Sequence, residues 1–523
     1  MVMTTVTRRI RVAAVVLVVA ATAALYATRL SFAPVYLVHD EVKFSLQAIS
    51  VAQNGRDLNG RLLPVYFSEP EFVAGRDPMM IYATALALLV LPVSEAAVRL
   101  PTALVGVLNV LLMLVLARML FKSDAVALAA AGMLALSPGH FIHSRLALSV
   151  LYPLPFVLLW LISLRRFQER ADGRTLLAGT AALGLGIYGY LAGLVMMPVY
   201  LLLTGLYLAE RRSLRWFGWA VAGFALALIP LLLWHFAHPE RYAELIQAYR
   251  VGSDGADQAP GLPTLFSLSG VKLRLGEWWS YFNPEFLFLT GDSSLTNSTR
   301  GAGFFPMVFA VLLPVGIYQL SRTGGFERIV LIGFATAPLA AVLTGTMDLN
   351  RYRAMFALPF GVLVATYGFS TLWLARGRAW RWLAVGLMLA IPLQFWGFYR
   401  DYMGPYRETS STWYGGNLRA ALAEAVRIQP AGPVLLSRRI PYAVDYWHFY
   451  ARVWRLPTGV PQPVVLDGDT FDPRSADPGS VLIAMPGEPW LPALGRSGWI
   501  QVSAIAEPTG SPSFVVYRKG VAP

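Results

Sequence analysis

Residues 98–122 read VRLPTALVGVLNVLLMLVLARMLFK, an apolar run closed by Arg118 and Lys122. A stretch of roughly 20 apolar residues crosses the hydrocarbon as a helix, because a helix satisfies its own backbone where no water is at hand. Its basic end marks the cytoplasmic side. Outward from this run, further apolar runs stand at about 10–30, 124–140, 148–164, 175–190, 191–209, 216–235, 304–320, 328–346, 354–374 and 380–398, with the quoted span itself at about 98–120. With the N-terminus inside, the cationic ends all fall on one face: Arg8 to Arg11, Arg118 with Lys122, Arg165-Arg166-Arg170-Arg174, Arg211-Arg212-Arg215, Arg322 with Arg328, and Arg376-Arg378-Arg381. The reading is a polytopic α-helical, multi-pass protein of the cell membrane with about eleven transmembrane helices.

Composition agrees. The 523 residues are 56% hydrophobic and 14% charged, with a mean hydropathy of +0.53, too apolar for a soluble chain with ordinary cores. The net charge of +13 is explained by cations between apolar runs. No basic segment with interleaved aromatics stands clear of them, so nucleic acid is not an expected partner. The absence of cysteine excludes disulfides, thiolate catalysis and Cys-based zinc sites. The run from Val12 to about Leu25, behind Arg8, Arg9 and Arg11, has the look of a signal peptide but stays apolar and aromatic beyond that length, and reads as an uncleaved span.

One segment resists the count. Met79 to Val93 is apolar but short and carries Pro92 near its end. Counted as a span it would put Arg118 and Lys122 outside, so it reads as a juxtamembrane or re-entrant helix in an outer loop, a form tolerated where protein shields the backbone. Two domains follow. Residues 1–398 form the membrane domain, with outer loops at 31–97 and 236–303, and residues 399–523 form a small extracytoplasmic α/β domain. The latter has strand-like Val434-Leu435-Leu436, Val464-Val465-Leu466, Val481-Leu482-Ile483 and Phe514-Val515-Val516, and opens with a helix from about Asn417 to Ile428. Gly252 to Gly261 reads as a mobile loop.

Candidate chemistry starts at His39-Asp40-Glu41, just past the first span. Adjacent carboxylates repel, and dividing their roles relieves this: one takes a proton as a base while the other binds a metal or a substrate hydroxyl. The alternative is that they merely begin a helix, where acids suit the positive end of the dipole. On spacing alone both readings stand. The same loop continues with Arg56-Asp57, Glu69, Glu71 and Arg76-Asp77-Pro78, the short apolar segment, and then Val98-Arg99-Leu100-Pro101-Thr102-Ala103-Leu104.

That order resembles the bacterial GT-C glycosyltransferases of family 39, relatives of protein O-mannosyltransferases and of the aminoarabinose transferase that modifies lipid A. Further stretches carry the likeness: the span containing Gly106 with its Arg118 to Phe121 end, Ser137-Pro138-Gly139-His140-Phe141-Ile142-His143-Ser144-Arg145, Tyr281 to Asp292 with Gly301-Ala302-Gly303, and Asn350-Arg351-Tyr352-Arg353-Ala354 with Leu358-Pro359. The likeness runs from about residue 30 to 360. One departure is clear: where the aminoarabinose branch has a glutamate two residues before the loop proline, this chain has Arg76, with Asp77 beside Pro78. Residues 399–523 add no match.

The resemblance implies transfer of a sugar from a polyprenyl-phosphate donor to an acceptor at the outer face of the membrane, inverting, with Asp40 as general base and Glu41 orienting the acceptor or a metal. Outward cations away from the basic clusters would meet the donor phosphate. Arg145, Arg351 and Arg353 fit that role, since guanidinium pairs with phosphate bidentately and stays charged near lipid; the alternative is snorkelling to the interface. Lys43, Arg76, Asp77, His143, Tyr188, Tyr190, Asp292 and Arg300 are further candidates for substrate contact. His140 and His143 read more simply as polar turn residues than as a metal pair, and Tyr188, Tyr190, Trp278, Trp279, Tyr281 and Phe282 as an aromatic belt. No cofactor is certain, and a divalent metal stays open. The acceptor, whether glycan, lipid or protein, is not specified. A membrane transporter or lipid flippase, and a polyprenyl-linked glycan ligase or polymerase, are the competing readings.

Overall fold

The computed structural model describes residues 2–69, 72–76, 78–210, 213–239, 267–343, 351–428, 432–457, 462–466 and 471–520. The loop at Gly252 to Gly261 lies outside the described residues. The apolar runs fold as helices: α1 (Val2–Ala27), α2 (His39–Asn54), α3 (Pro78–Leu88), α4 (Glu95–Phe121), α5 (Asp124–Ala135), α6 (Pro138–His143), α7 (Leu154–Arg170), α8 (Gly173–Gly186), α9 (Gly193–Ala209), α10 (Leu214–Ala237), α11 (Leu268–Ser280), α12 (Phe309–Ser321), α13 (Phe326–Thr336), α14 (Leu339–Leu343), α15 (Ala357–Leu374) and α16 (Arg378–Met403). Among the described residues, six segments are long and apolar enough to cross a membrane: Glu95–Phe121, Ser149–Arg170, Leu214–Ala237, Phe326–Leu343, Ala357–Leu374 and Arg378–Met403. Val12–Ala27, Asp124–Ala135, Gly193–Ala209 and Phe309–Ser321 are shorter apolar helices. Helix α3, where the sequence reads a non-spanning segment, rises only about 16 Å, short of a hydrocarbon layer of about 30 Å, and α5 and α12, read as spans, are likewise short of it.

The chain forms two compact units: Met1–Thr28, Arg61–Ala83 and Leu100–Arg400 in one, Arg29–Gly60, Thr84–Arg99 and Asp401–Pro523 in the other. The sequence reading places a single boundary at 398; the units instead interleave, and the second takes two stretches of the first outer loop.

In the first unit small residues let helix backbones touch. A Cβ on Gly316 of α12 would stand 1.9 Å from the Val364 carbonyl oxygen of α15, and one on Gly368 of α15 would stand 2.1 Å from that of Leu312. Helices α8 and α10 cross as closely, since a Cβ on Gly223 would meet the Leu177 carbonyl oxygen at 2.3 Å. Association inside lipid rests on this kind of packing, as tails are as apolar as leucine. Pro230 lies within α10. One residue beyond it the Tyr188 hydroxyl enters the helix ladder, donating to the Ala227 carbonyl at 2.9 Å and accepting from the Leu231 amide at 3.1 Å.

The second unit carries a five-stranded sheet of β3 (Val434–Leu436), β4 (Pro463–Val465), β5 (Val481–Ala484), β6 (Trp499–Ala506) and β7 (Pro512–Lys519); β1 (Phe67–Glu69) and β2 (Phe72–Arg76) form a separate hairpin in the first. Strand order is β4-β3-β5-β7-β6. β4, β3 and β5 run parallel, with Leu435 opposite both Val464 and Leu482; β7 is antiparallel to β5 and β6. Strands β3 and β5 are buried throughout, as a covered parallel sheet requires. Helix α17 (Leu418–Arg427) is capped by the Asn417 side chain, which accepts from the Ala420 amide at 3.3 Å. Helix α18 (Ala443–Val453) buries Ala443, Tyr446, Trp447, Phe449 and Tyr450 and packs on α2.

Candidate active site

Helix α2 opens at His39, so Asp40 and Glu41 both occupy its first turn. Its N-cap is Val38, whose side chain bonds nothing. The first turn is instead held by Glu41, whose Oε2 accepts from the Val38 amide at 3.0 Å. Successive helical positions turn by about 100°, and the two carboxylates consequently meet different surroundings. Asp40 is half-buried, whereas Glu41 is fully buried.

Glu41 is bound by Arg99, itself 0% exposed. Nε donates to Oε1 at 2.8 Å and Nη2 to Oε2 at 2.9 Å, a bidentate pair. The same guanidinium donates to the carbonyls of Leu30 at 2.8 Å, Pro34 at 3.0 Å and Tyr36 at 2.5 Å. One side chain thus ties the chain leading into α2 to the carboxylate inside it. Four residues earlier on α4, Glu95 accepts from Arg419 at 3.1 Å and from the Tyr450 hydroxyl at 2.8 Å. Glu41 is thus engaged in a buried ion pair that ties down the first turn of α2. Among the described residues no group of three or more His, Asp or Glu is placed to hold a metal.

Around Asp40 stand residues from α18. Tyr446 donates its hydroxyl to the Leu37 carbonyl at 2.9 Å; burial, then the carboxylates of Glu41, Asp40 and Asp445, push its phenol well above the usual range and keep it neutral. Asp445 lies 3.2 Å from His39 Nε2 and 3.8 Å from Lys43 Nζ. Lys43, a sequence candidate for substrate contact, is thus engaged with a carboxylate from the far end of the chain.

The first unit holds the remaining candidates. Arg145 is fully buried, donates to the Tyr26 carbonyl at 2.7 Å and lies 5.3 Å from the Phe141 ring centre, so it satisfies the end of α1. Its neighbour His140 meets the Tyr26 hydroxyl at 2.8 Å through Nδ1. That hydroxyl also lies 2.9 Å from the Ala135 carbonyl, and Nε2 faces Asn109 at 3.4 Å. His143 donates from Nδ1 to the Gly139 carbonyl at 2.8 Å and, with Asp292, Asn297 and Ser298, lines a cavity of about 10 Å³, room for one water. Asp292 is 4% exposed and accepts from the Ser294 amide and the Asn297 side chain. Arg300 is exposed and donates to the Ser293 carbonyl. Tyr188 is the α10 insert described above, and Tyr190 packs at the margin of the core. Arg351 and Arg353 share a short 3₁₀ turn, Arg351–Ala354; Arg353 is half-buried, and the Arg351 side chain lies outside the described residues. Arg76 ends β2, its side chain likewise undescribed, and Asp77 is outside the described residues.

Sequence reasoning missed Arg99, Glu95, Arg419, Asp445 and Tyr446. A signal existed for the first two: an acid and a base four apart at the head of a long apolar helix.

The chain is a multi-pass membrane protein of the GT-C fold. Two crystal structures of ArnT from Cupriavidus metallidurans match it almost end to end. The apo form shares 16% identity with a TM-score of 0.62, and the form bound to undecaprenyl phosphate shares 14% with a TM-score of 0.61; each match covers 97% of this chain and 99% of the other. The family described as dolichyl-phosphate-mannose-protein mannosyltransferase matches residues 73–234. Family 39, read from the sequence, is an approximate label within that wider GT-C kinship. No curated protein matches the chain by sequence.

Proposed function

We propose that the protein is a glycosyltransferase that moves a sugar from a polyprenyl-phosphate donor to an acceptor hydroxyl, with Asp40 as general base. The observation that carries this is the division between the two adjacent carboxylates: Glu41 is consumed by Arg99, and Asp40 is the one that keeps solvent exposure beside it. In the reaction Asp40 takes the acceptor proton, the acceptor oxygen bonds to the anomeric carbon from the face opposite the phosphate, and the glycosidic C–O bond breaks with its electrons leaving on polyprenyl phosphate. Configuration inverts. A phosphate leaving group needs cations more than an acid, and Arg351 and Arg353 are the proposed donors of that charge. Arg145 is a weaker candidate, because it already serves the Tyr26 carbonyl.

The reading is supported by the ArnT fold, one of whose structures holds undecaprenyl phosphate. The N-terminus is proposed to be cytoplasmic and the sheet-bearing residues extracytoplasmic, on the arginine distribution. Purified protein incubated with a panel of polyprenyl-phosphate sugars should release free polyprenyl phosphate, and Asp40→Asn should lower release by about 10²–10⁴-fold. Intact protein that consumes no donor would overturn the proposal.

A further inference from the structure

We infer that Asp445 is a positioning residue for Asp40, and so that the C-terminal stretch is part of the transferase machinery; this rests on Asp40 being the base. The need for it is visible in α2 itself. The helix begins with Asp40 in a first turn whose N-cap, Val38, offers no side-chain acceptor, and uncapped first turns fray. Glu41 secures one side of the turn through Arg99 and the Val38 amide. The other side carries His39 and Lys43, four apart and therefore on one face. Both reach the same atom, Asp445 Oδ2, at 3.2 Å and 3.8 Å.

The clamp has two contacts on the imidazole. The His39 ring lies flat on Tyr442, with ring centres 3.3 Å apart and planes 10° apart, while its edge meets Asp445. Lys43 reaches the Tyr442 ring as well, with Nζ 5.7 Å from its centre. Tyr442 and Asp445 stand at the start of α18, so the beginnings of two helices are locked together around the position next to His39, which is Asp40. The side chains of His39 and Lys43 are 15% and 9% exposed, and that of Asp445 is 28% exposed. The pair is open to solvent only at Asp445, so losing the carboxylate costs some stability as well. Its expected effect is on where α2 begins and where Asp40 points.

The experiment measures donor consumption by full-length Asp445→Asn, Asp445→Glu, Asp40→Asn and the double variant Asp40→Asn/Asp445→Asn, with thermal midpoints for each. Asp445→Asn should lower kcat by about 10–100-fold, with KM within about threefold of wild type in the fraction that stays folded, and Asp445→Glu should recover part of the loss. Because Asp445 acts through Asp40, its removal should cost nothing further in the Asp40→Asn background. Wild-type kcat in Asp445→Asn, or the same fold-loss in both backgrounds, overturns this inference and leaves Asp40 as base intact. Full activity in Asp40→Asn overturns the proposed function instead. Should Asp445→Asn fail to fold, His39→Gln with Lys43→Gln opens the clamp from the α2 side and is held to the same criteria.

Discussion

Replacing Arg99 by methionine removes one of the largest fully buried side chains in the protein and leaves two kinds of damage. Glu41 becomes a buried carboxylate without its guanidinium, and the carbonyls of Leu30, Pro34 and Tyr36 lose their donor. Breaking a buried ion pair from one side costs about 3–5 kcal/mol. For a unit of this size each kcal/mol moves the midpoint by about 2–4 °C, so the broken ion pair alone accounts for a fall of about 6–20 °C, and the orphaned carbonyls add to it. The double variant Glu41→Met/Arg99→Met removes both charges, and leaves the three carbonyls and the Val38 amide unanswered, at about 1 kcal/mol each. The two substitutions should therefore couple by at least about 2 kcal/mol in a double-mutant cycle. Thermal unfolding in detergent followed by tryptophan fluorescence reads this, since Trp413, Trp447, Trp454, Trp490 and Trp499 all lie in the unit concerned. Single variants whose effects simply add, with coupling below about 0.5 kcal/mol, would refute the claim that Glu41 is held by Arg99.

Further predictions are independent of activity. Tyr188→Phe should cost about 1–3 kcal/mol, because the Ala227 carbonyl and Leu231 amide lose the hydroxyl between them; an unchanged midpoint would argue against the insert. Burial pushes the His143 imidazole down from 6.5 to about 4, so the folded protein favours the neutral ring. Stability from this site is complete above pH 6.5 and lost as pH falls towards 4, and His143→Gln should flatten that part of a midpoint-versus-pH curve. Gly316→Leu should abolish monodisperse protein on size exclusion, since its first carbon would already strike the Val364 carbonyl; a well-folded Gly316→Leu protein would contradict the α12–α15 crossing.

The membrane helices were legible because hydropathy and arginine placement report directly on solvent, and α3 could be recognised as non-spanning from its length and the charges beyond it. The strands at 434, 464, 481 and 514 announced themselves as short apolar β-branched runs. Helix α18 was overlooked although Ala443, Tyr446, Trp447 and Tyr450 repeat at three and four. Asp40 and Glu41 stand side by side in sequence, and it is burial and the Arg99 pair on Glu41 that set their surroundings apart. Arg99 read as a motif letter, since burial is a property of the folded chain. Arg145 read as an outward cation because no local pattern shows that it will meet the Tyr26 carbonyl. Asp445 lies 406 positions from His39, beyond the reach of any periodicity.

That separation also sets an order of events during synthesis. α2 leaves the ribosome early, but Asp445, Tyr446 and Arg419 follow only after the intervening helices have been made, at about 5–20 residues per second. For tens of seconds Glu41 and Arg99 have no roof, and the nascent chain must carry ionised groups destined for a dry interior while later helices insert. Synthesis therefore delivers Asp445, the residue proposed to position Asp40, 406 positions after His39. A truncation in α18 should accordingly be recognised by quality control as a failure of the whole unit, and clearance of such chains in a pulse-chase experiment would show it.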